Sequence, residues 1–119
     1  MLNSMIGALF LVMAGTAAPA RGAVQPVVNR EYLPALLELL DGATNSIEFV
    51  QLECHGDVTE NRIEAALAAA VKRGVRVRGI LDDGVDFNAA SMERLRALGV
   101  DVKPDTPVKM THSKLVIVD

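Results

Sequence analysis

The sequence predicts an α/β fold: a layered, mixed but largely parallel sheet flanked by helices. Three observations carry this. Apolar residues switch repeatedly between helical spacing and short strand-like runs. The helical segments connect the strand segments, which makes the joined strands largely parallel. The chain has 119 residues, half of them apolar, which is the size and the core material of one domain.

The elements follow in order. Residues 1–20 hold no charged side chain, and Ile6 to Ala18 is an unbroken run of apolar and small residues. Ala18-Pro19-Ala20 is a small-x-small pattern ahead of Arg21, so 1–20 reads as a signal peptide cleaved after Ala20 or after Gly22. The run is too short for a comfortable transmembrane helix, and no Lys or Arg precedes it. An uncleaved anchor or a buried helix is the alternative. The expected organisation is thus a signal peptide over 1–20 and one domain over 21–119, in a secreted or periplasmic protein.

Val24 to Val28 is an extended entry. Asn29 is placed to cap a helix from Glu31 to Leu40, with Pro34 tolerated in its first turns. Tyr32, Leu33, Leu36, Leu37 and Leu40 give that helix an apolar face, and Asp41-Gly42 stops it. Ser46 to Glu53 alternates as a strand, with Ile47, Phe49 and Gln51 on one side. Thr59 to Arg73 is the clearest helix: Thr59 as cap, an Ala-rich body, then Lys72-Arg73 before Gly74. Val75 to Leu81 is the next strand, Asn88 to Leu98 a helix stopped by Gly99, and Val100 to Lys103 a short strand. Lys109 to Val118 is the last strand; its block Leu115 to Val118 has no polar alternation, which suits burial on both faces.

Composition narrows the function. There is no Trp, with one Tyr and three Phe, so a base-stacking platform lacks its aromatic faces. The formal net charge of −3 lacks the basic excess of a general nucleic-acid binder, although a local cationic pocket remains open. A lone cysteine, Cys54, forbids an intramolecular disulfide and reads as a small buried residue. Asp82, Asp83 and Asp86 are hard-cation donors in type, but they do not follow the EF-hand pattern, and acidic residues are ordinary near helix starts. Arg76 and Arg78 share a strand face, and Glu53 and His55 end a strand where they could border a pocket.

The sharpest signal is Thr111-His112-Ser113-Lys114 ahead of the apolar block. Residues two apart on a strand share a face, so His112 and Lys114 are expected side by side. A Lys entering a packed sheet needs a partner, and a bound anion supplies one. With Asp119 they spell H-x-K-x-x-x-x-D, a match expected by chance in roughly one per cent of chains of this length.

This pattern resembles the signature of the phospholipase D superfamily. The stretches N-R-E-Y-L-P-A-L-L-E-L-L-D-G-A-T-N-S-I and A-A-V-K-R-G-V-R-V-R-G-I-L-D-D are similar to that family's first half-domain, and the resemblance runs from about Gln25 to Asp119. It implies catalysis by His112, Lys114 and Asp119. His112 would attack phosphorus, Lys114 would bind the non-bridging oxygens of the substrate, and Asp119 would orient the imidazole. An odd-numbered residue faces away from His112 on a flat strand, so the chain must end or bend at Asp119, or Asp119 must act through an intermediary. No cofactor or metal is implied. The leaving group needs a second histidine, and His55 lacks the flanking pattern. A homodimer or a missing C-terminal half would supply it, and the stop at Asp119 reads as a truncation that leaves the chain inactive alone. The implied activity is a phosphodiesterase acting on phospholipid, with peripheral membrane contact. The alternatives are a homodimeric endonuclease acting on nucleic acid, a phospholipid-synthesising transferase, and a non-catalytic module that binds phosphate or a partner chain.

Overall fold

The computed structural model describes Gly22 and residues 24–119, so the expected signal peptide lies outside the described residues. A 3-10 turn over Asn29–Glu31 leads into α1 (Tyr32–Asp41), followed by β1 (Ser46–Gln51), α2 (Val58–Lys72), β2 (Arg76–Leu81), α3 (Asn88–Ala97), β3 (Asp101–Pro104) and β4 (Leu115–Val118). Two helix starts differ from expectation. Asn29 has φ 50° and opens the 3-10 turn, and no side chain caps α1. The cap of α2 is Asp57, not Thr59: its Oδ1 accepts the Glu60 N–H at 2.8 Å, and a carboxylate also suits the helix dipole. Gly74 and Gly99 end α2 and α3 with φ of 90° and 89°, a conformation that costs glycine little.

The sheet order is β3-β2-β1-β4. β1 runs parallel to β2, with Ser46 opposite Arg76, and β2 runs parallel to β3, with Arg78 opposite Asp101. β4 returns antiparallel beside β1, with Ile47 opposite Val118 and Val50 opposite Leu115. Both crossovers step in one direction. Right-handed connections therefore put α2 and α3 on the same face, where α1 packs on α2. Ile47, Phe49, Val77, Leu81 and Val102 from the strands meet Leu36, Leu40, Leu67, Ala70, Met92 and Leu95 from the helices in one core. Gly79 sits under the Phe49 ring, where a Cβ would overlap the ring carbons.

The opposite face of the sheet carries Arg76, Arg78, Ile80, Leu115 and Ile117, all exposed. Arg78 pairs there with Glu48 at 2.8 Å. This corrects the expected last strand. β4 spans only Leu115–Val118, and Leu115 and Ile117 are 50% and 51% exposed. With every described helix on one side, an edge strand can bury only one of its faces. Val116 and Val118 take that role, packing partly buried against the core.

Candidate active site

Parallel strands β1, β2 and β3 all end at one rim of the sheet. Because β4 is antiparallel, its beginning lies at the same rim, so residues 105–114 are delivered there. Loops at the carboxyl ends of parallel strands are the usual place for ligands in open α/β sheets. Residues 109–114 belong to no strand. The same-face argument for His112 and Lys114 therefore does not apply.

The segment is instead anchored at Thr111 by a pair of carboxylates on the ends of two neighbouring strands. Asp82 follows β2 and is buried, and its Oδ2 accepts the backbone N–H of Thr111 at 2.6 Å. Asp105 follows β3, and its Oδ2 accepts the Thr111 hydroxyl. The remaining oxygens are also engaged: Asp82 Oδ1 takes the Gly84 N–H, and Asp105 Oδ1 the Asp83 N–H, each at 2.8 Å. The Thr111 hydroxyl, and after it the Asp83 N–H, holds the Asp105 carboxyl below its ordinary range. Asp82 is thus a scaffold residue, not the cation donor weighed from sequence. From sequence Asp82 is weighed only as a cation donor, and Asp105 is not among the candidates. The signal was their position, directly after the last residue of a strand.

His112 and Lys114 are both exposed, so an ester can reach them. The Lys114 Nζ donates to the His112 carbonyl oxygen at 3.3 Å, which puts the ammonium beside the histidine backbone. Lys114 and Val116 also line a cleft of about 450 Å³ whose other walls include Leu36, Leu40, Ile47, Phe49 and Leu67. The cleft is largely apolar, with Glu60 and Glu64 on its α2 wall.

Asp119 stands elsewhere. The chain does turn there, with β4 ending at Val118 and Asp119 at φ 55°. Its Oδ2 accepts the Thr44 N–H and hydroxyl, each at 2.8 Å. Its Oδ1 accepts the Asn45 N–H at 2.7 Å and the Ser46 N–H at 2.8 Å. The Ser46, Asn45 and Thr44 N–H groups, in that order, hold the carboxyl well below the usual carboxylate range. These partners lie at the start of β1, while His112 lies beyond its end. All four residues of β4 intervene, roughly 13 Å of strand. The structure brings His112 and Lys114 together and leaves Asp119 at the far edge.

The other sequence candidates have their own partners. His55 Nε2 lies 3.0 Å from Glu53 Oε2, and its ring stacks on Phe87 with centroids 4.1 Å apart. Cys54 is buried; burial, and then the Glu60 carboxylate, push its thiol up to about 12, so it is a poor nucleophile. Cys54, Glu60 and Glu64 place one ligand atom each within 4.8 Å of one another. Both carboxylates are already engaged: Glu60 accepts the Gly56 N–H at 3.0 Å, and Glu64 pairs with Arg94 at 3.1 Å. Among the described residues, no helix is long and apolar enough to cross a membrane.

Comparison with known proteins identifies the family of this fold. Residues 36–119 match the family model described as "Cardiolipin synthase, PLD-like domain". No curated protein matches the sequence. Among solved structures, the chain is similar to Nuc from Salmonella typhimurium, a phospholipase D family member, at 28% identity and a TM-score of 0.61. That match covers 72% of this chain and 56% of the Salmonella protein, so the chain spans little more than half of that relative. Polyphosphate kinase from Porphyromonas gingivalis (21% identity, TM-score 0.55, 73% of this chain and 15% of the other) shares the fold. So does TrmBL2, an archaeal chromatin protein (20% identity, TM-score 0.50, 72% and 32%). The H-x-K-x-x-x-x-D pattern, the α/β sheet that carries it and the family match over residues 36–119 together establish that this chain belongs to the phospholipase D superfamily.

Proposed function

We propose that this chain supplies one half of a phosphodiester-cleaving site, with phospholipid as the substrate class. An imidazole nitrogen of His112 attacks phosphorus, the bond to the leaving alcohol oxygen breaks, and a phosphohistidine forms. Lys114 leaves the His112 carbonyl for the non-bridging oxygens and neutralises the charge that builds in the transition state. A second histidine, from another copy of the chain or from further sequence, protonates the leaving oxygen. It then takes a proton from the water that attacks phosphohistidine, which releases phosphatidate and restores His112.

The observation that carries this reading is Lys114 itself. One ammonium stands beside the His112 backbone and also lines an apolar cleft. A lipid phosphodiester joins the same two features, an anion and a hydrocarbon chain. The expected secretion and peripheral membrane contact belong to the same proposal.

The test uses the full-length protein and a phosphodiester radiolabelled at phosphorus, quenched in base, where phosphohistidine survives. Label should appear in the wild type and vanish in His112→Ala. Label that persists in the variant refutes the nucleophile. Turnover of plasmid DNA with none of phosphatidylcholine vesicles would transfer the same site to the endonuclease reading. Activity that is lost to chelator and restored by a divalent ion would contradict a metal-free mechanism.

A further inference from the structure

We infer that Asp105 and Asp82, acting through Thr111, are positioning residues that aim His112. The inference rests on the nucleophile reading above and adds residues outside the H-x-K-x-x-x-x-D pattern. Among the described residues, the His112 ring makes no hydrogen bond, so what fixes its position is the backbone that carries it. The segment between β3 and β4 has no regular structure over residues 105–114. A connection of that length does not hold a side chain still by itself. It is pinned one residue before the histidine. Thr111 gives its N–H to Asp82 at 2.6 Å and its hydroxyl to Asp105. The two carboxylates grow from the ends of adjacent parallel strands, so their separation is fixed by the sheet ladder.

Each carboxylate is in turn oriented by a backbone N–H, Gly84 for Asp82 and Asp83 for Asp105, both at 2.8 Å. The loop is thereby tied to the ends of two hydrogen-bonded strands through carboxylate acceptors, which make stronger hydrogen bonds than neutral ones. A displacement of about 1 Å at a reacting group costs on the order of 100-fold in rate. The clamp acts on the geometry of attack, not on the affinity for substrate.

The experiment compares Thr111→Val, which keeps shape and loses the hydroxyl, with Thr111→Ser, which keeps the hydroxyl. Asp105→Asn weakens the same bond, and Asp86→Asn serves as a control on a nearby exposed carboxylate. Two readouts are taken on the full-length protein: steady-state kinetics on a phosphodiester, and the His112 ring resonances without substrate. Thr111→Val and Asp105→Asn should lower kcat about 10- to 100-fold with KM within about twofold. They should also shift or broaden the His112 resonances, while Thr111→Ser and Asp86→Asn stay near wild type. A folded Thr111→Val protein with wild-type His112 resonances overturns the inference, whether or not any ester is cleaved. If Thr111→Val does not fold, unchanged resonances and kcat in Asp105→Asn overturn it instead. Failure of the nucleophile reading looks different: His112→Ala stays active while the resonance shifts in Thr111→Val persist.

Discussion

Asp119 accepts the Ser46 backbone N–H at 2.8 Å across 73 residues of sequence, at the opposite end of the sheet from His112. The acid of the H-x-K-x-x-x-x-D pattern therefore fastens β4 to the start of β1. Its folded carboxyl is held below the ordinary value of 3.8, so its stabilisation is fully present above that value and fades as pH falls through the folded one. Asp119→Asn should lower the unfolding midpoint at pH 7, and its deficit against wild type should shrink below pH 3.8. Thermal melts from pH 7 to pH 2 check this. A constant deficit at all pH values would mean that the carboxylate charge is irrelevant.

His112 and Lys114 should differ in kind when removed. His112→Ala should abolish phosphoryl-enzyme and cut turnover by at least about 1000-fold. Lys114→Met should retain a slow burst of phosphohistidine, with kcat down about 100- to 1000-fold. Rapid-quench kinetics separate the two. Neither change should shift the melting midpoint much, since both side chains are exposed.

Gly79 tests the packing that keeps the sheet close to its helices. In Gly79→Ala the new methyl meets the Phe49 ring. The substitution should destabilise the fold by about 1–3 kcal/mol. Denaturant unfolding measures it, and the pair Gly79→Ala with Phe49→Leu should recover part of the loss, because a smaller side chain relieves the overlap.

Cys54 should be chemically silent in the folded state. Its thiol is pushed up to about 12 by burial and by the neighbouring Glu60 carboxylate. Iodoacetamide at pH 8 should label it only after denaturation, as followed by mass spectrometry. Fast labelling of the native protein would show that the residue is accessible.

The sequence revealed the elements more fully than their edges. Alternation along Ser46 to Gln51 and Arg76 to Leu81, and the helical spacing of Leu36 and Leu40, are strong local signals, and the structure follows them. The sequence pattern carries the last strand back to Lys109, because Lys109 to Lys114 looks extended, whereas β4 starts at Leu115. What shapes that segment is a pair of bonds from Thr111, one to Asp82 across 29 residues and one to Asp105, which no strand-like alternation encodes. Thr59 is the expected cap, but Asp57, an equally good cap residue two positions earlier, takes that place. The spacing of the family pattern points to His112 and Lys114, and the structure puts the Lys114 ammonium beside the His112 carbonyl. It does not point to the contacts of Asp119, since its partners Thr44, Asn45 and Ser46 sit more than half the chain away.

The antiparallel return of β4 to β1 has a kinetic side. The β1-α2-β2-α3-β3 layers are assembled from neighbours in sequence, whereas the Thr44–Asp119 contact closes a loop of 75 residues. Such closures are entropically slow and come late in folding. A half-formed chain can thus own its helices and three of its strands and still lack β4 and the segment that leads into it. On the function proposed above, the site is completed only when β4 docks on β1, and a phosphodiester bound there would favour the closed form by mass action.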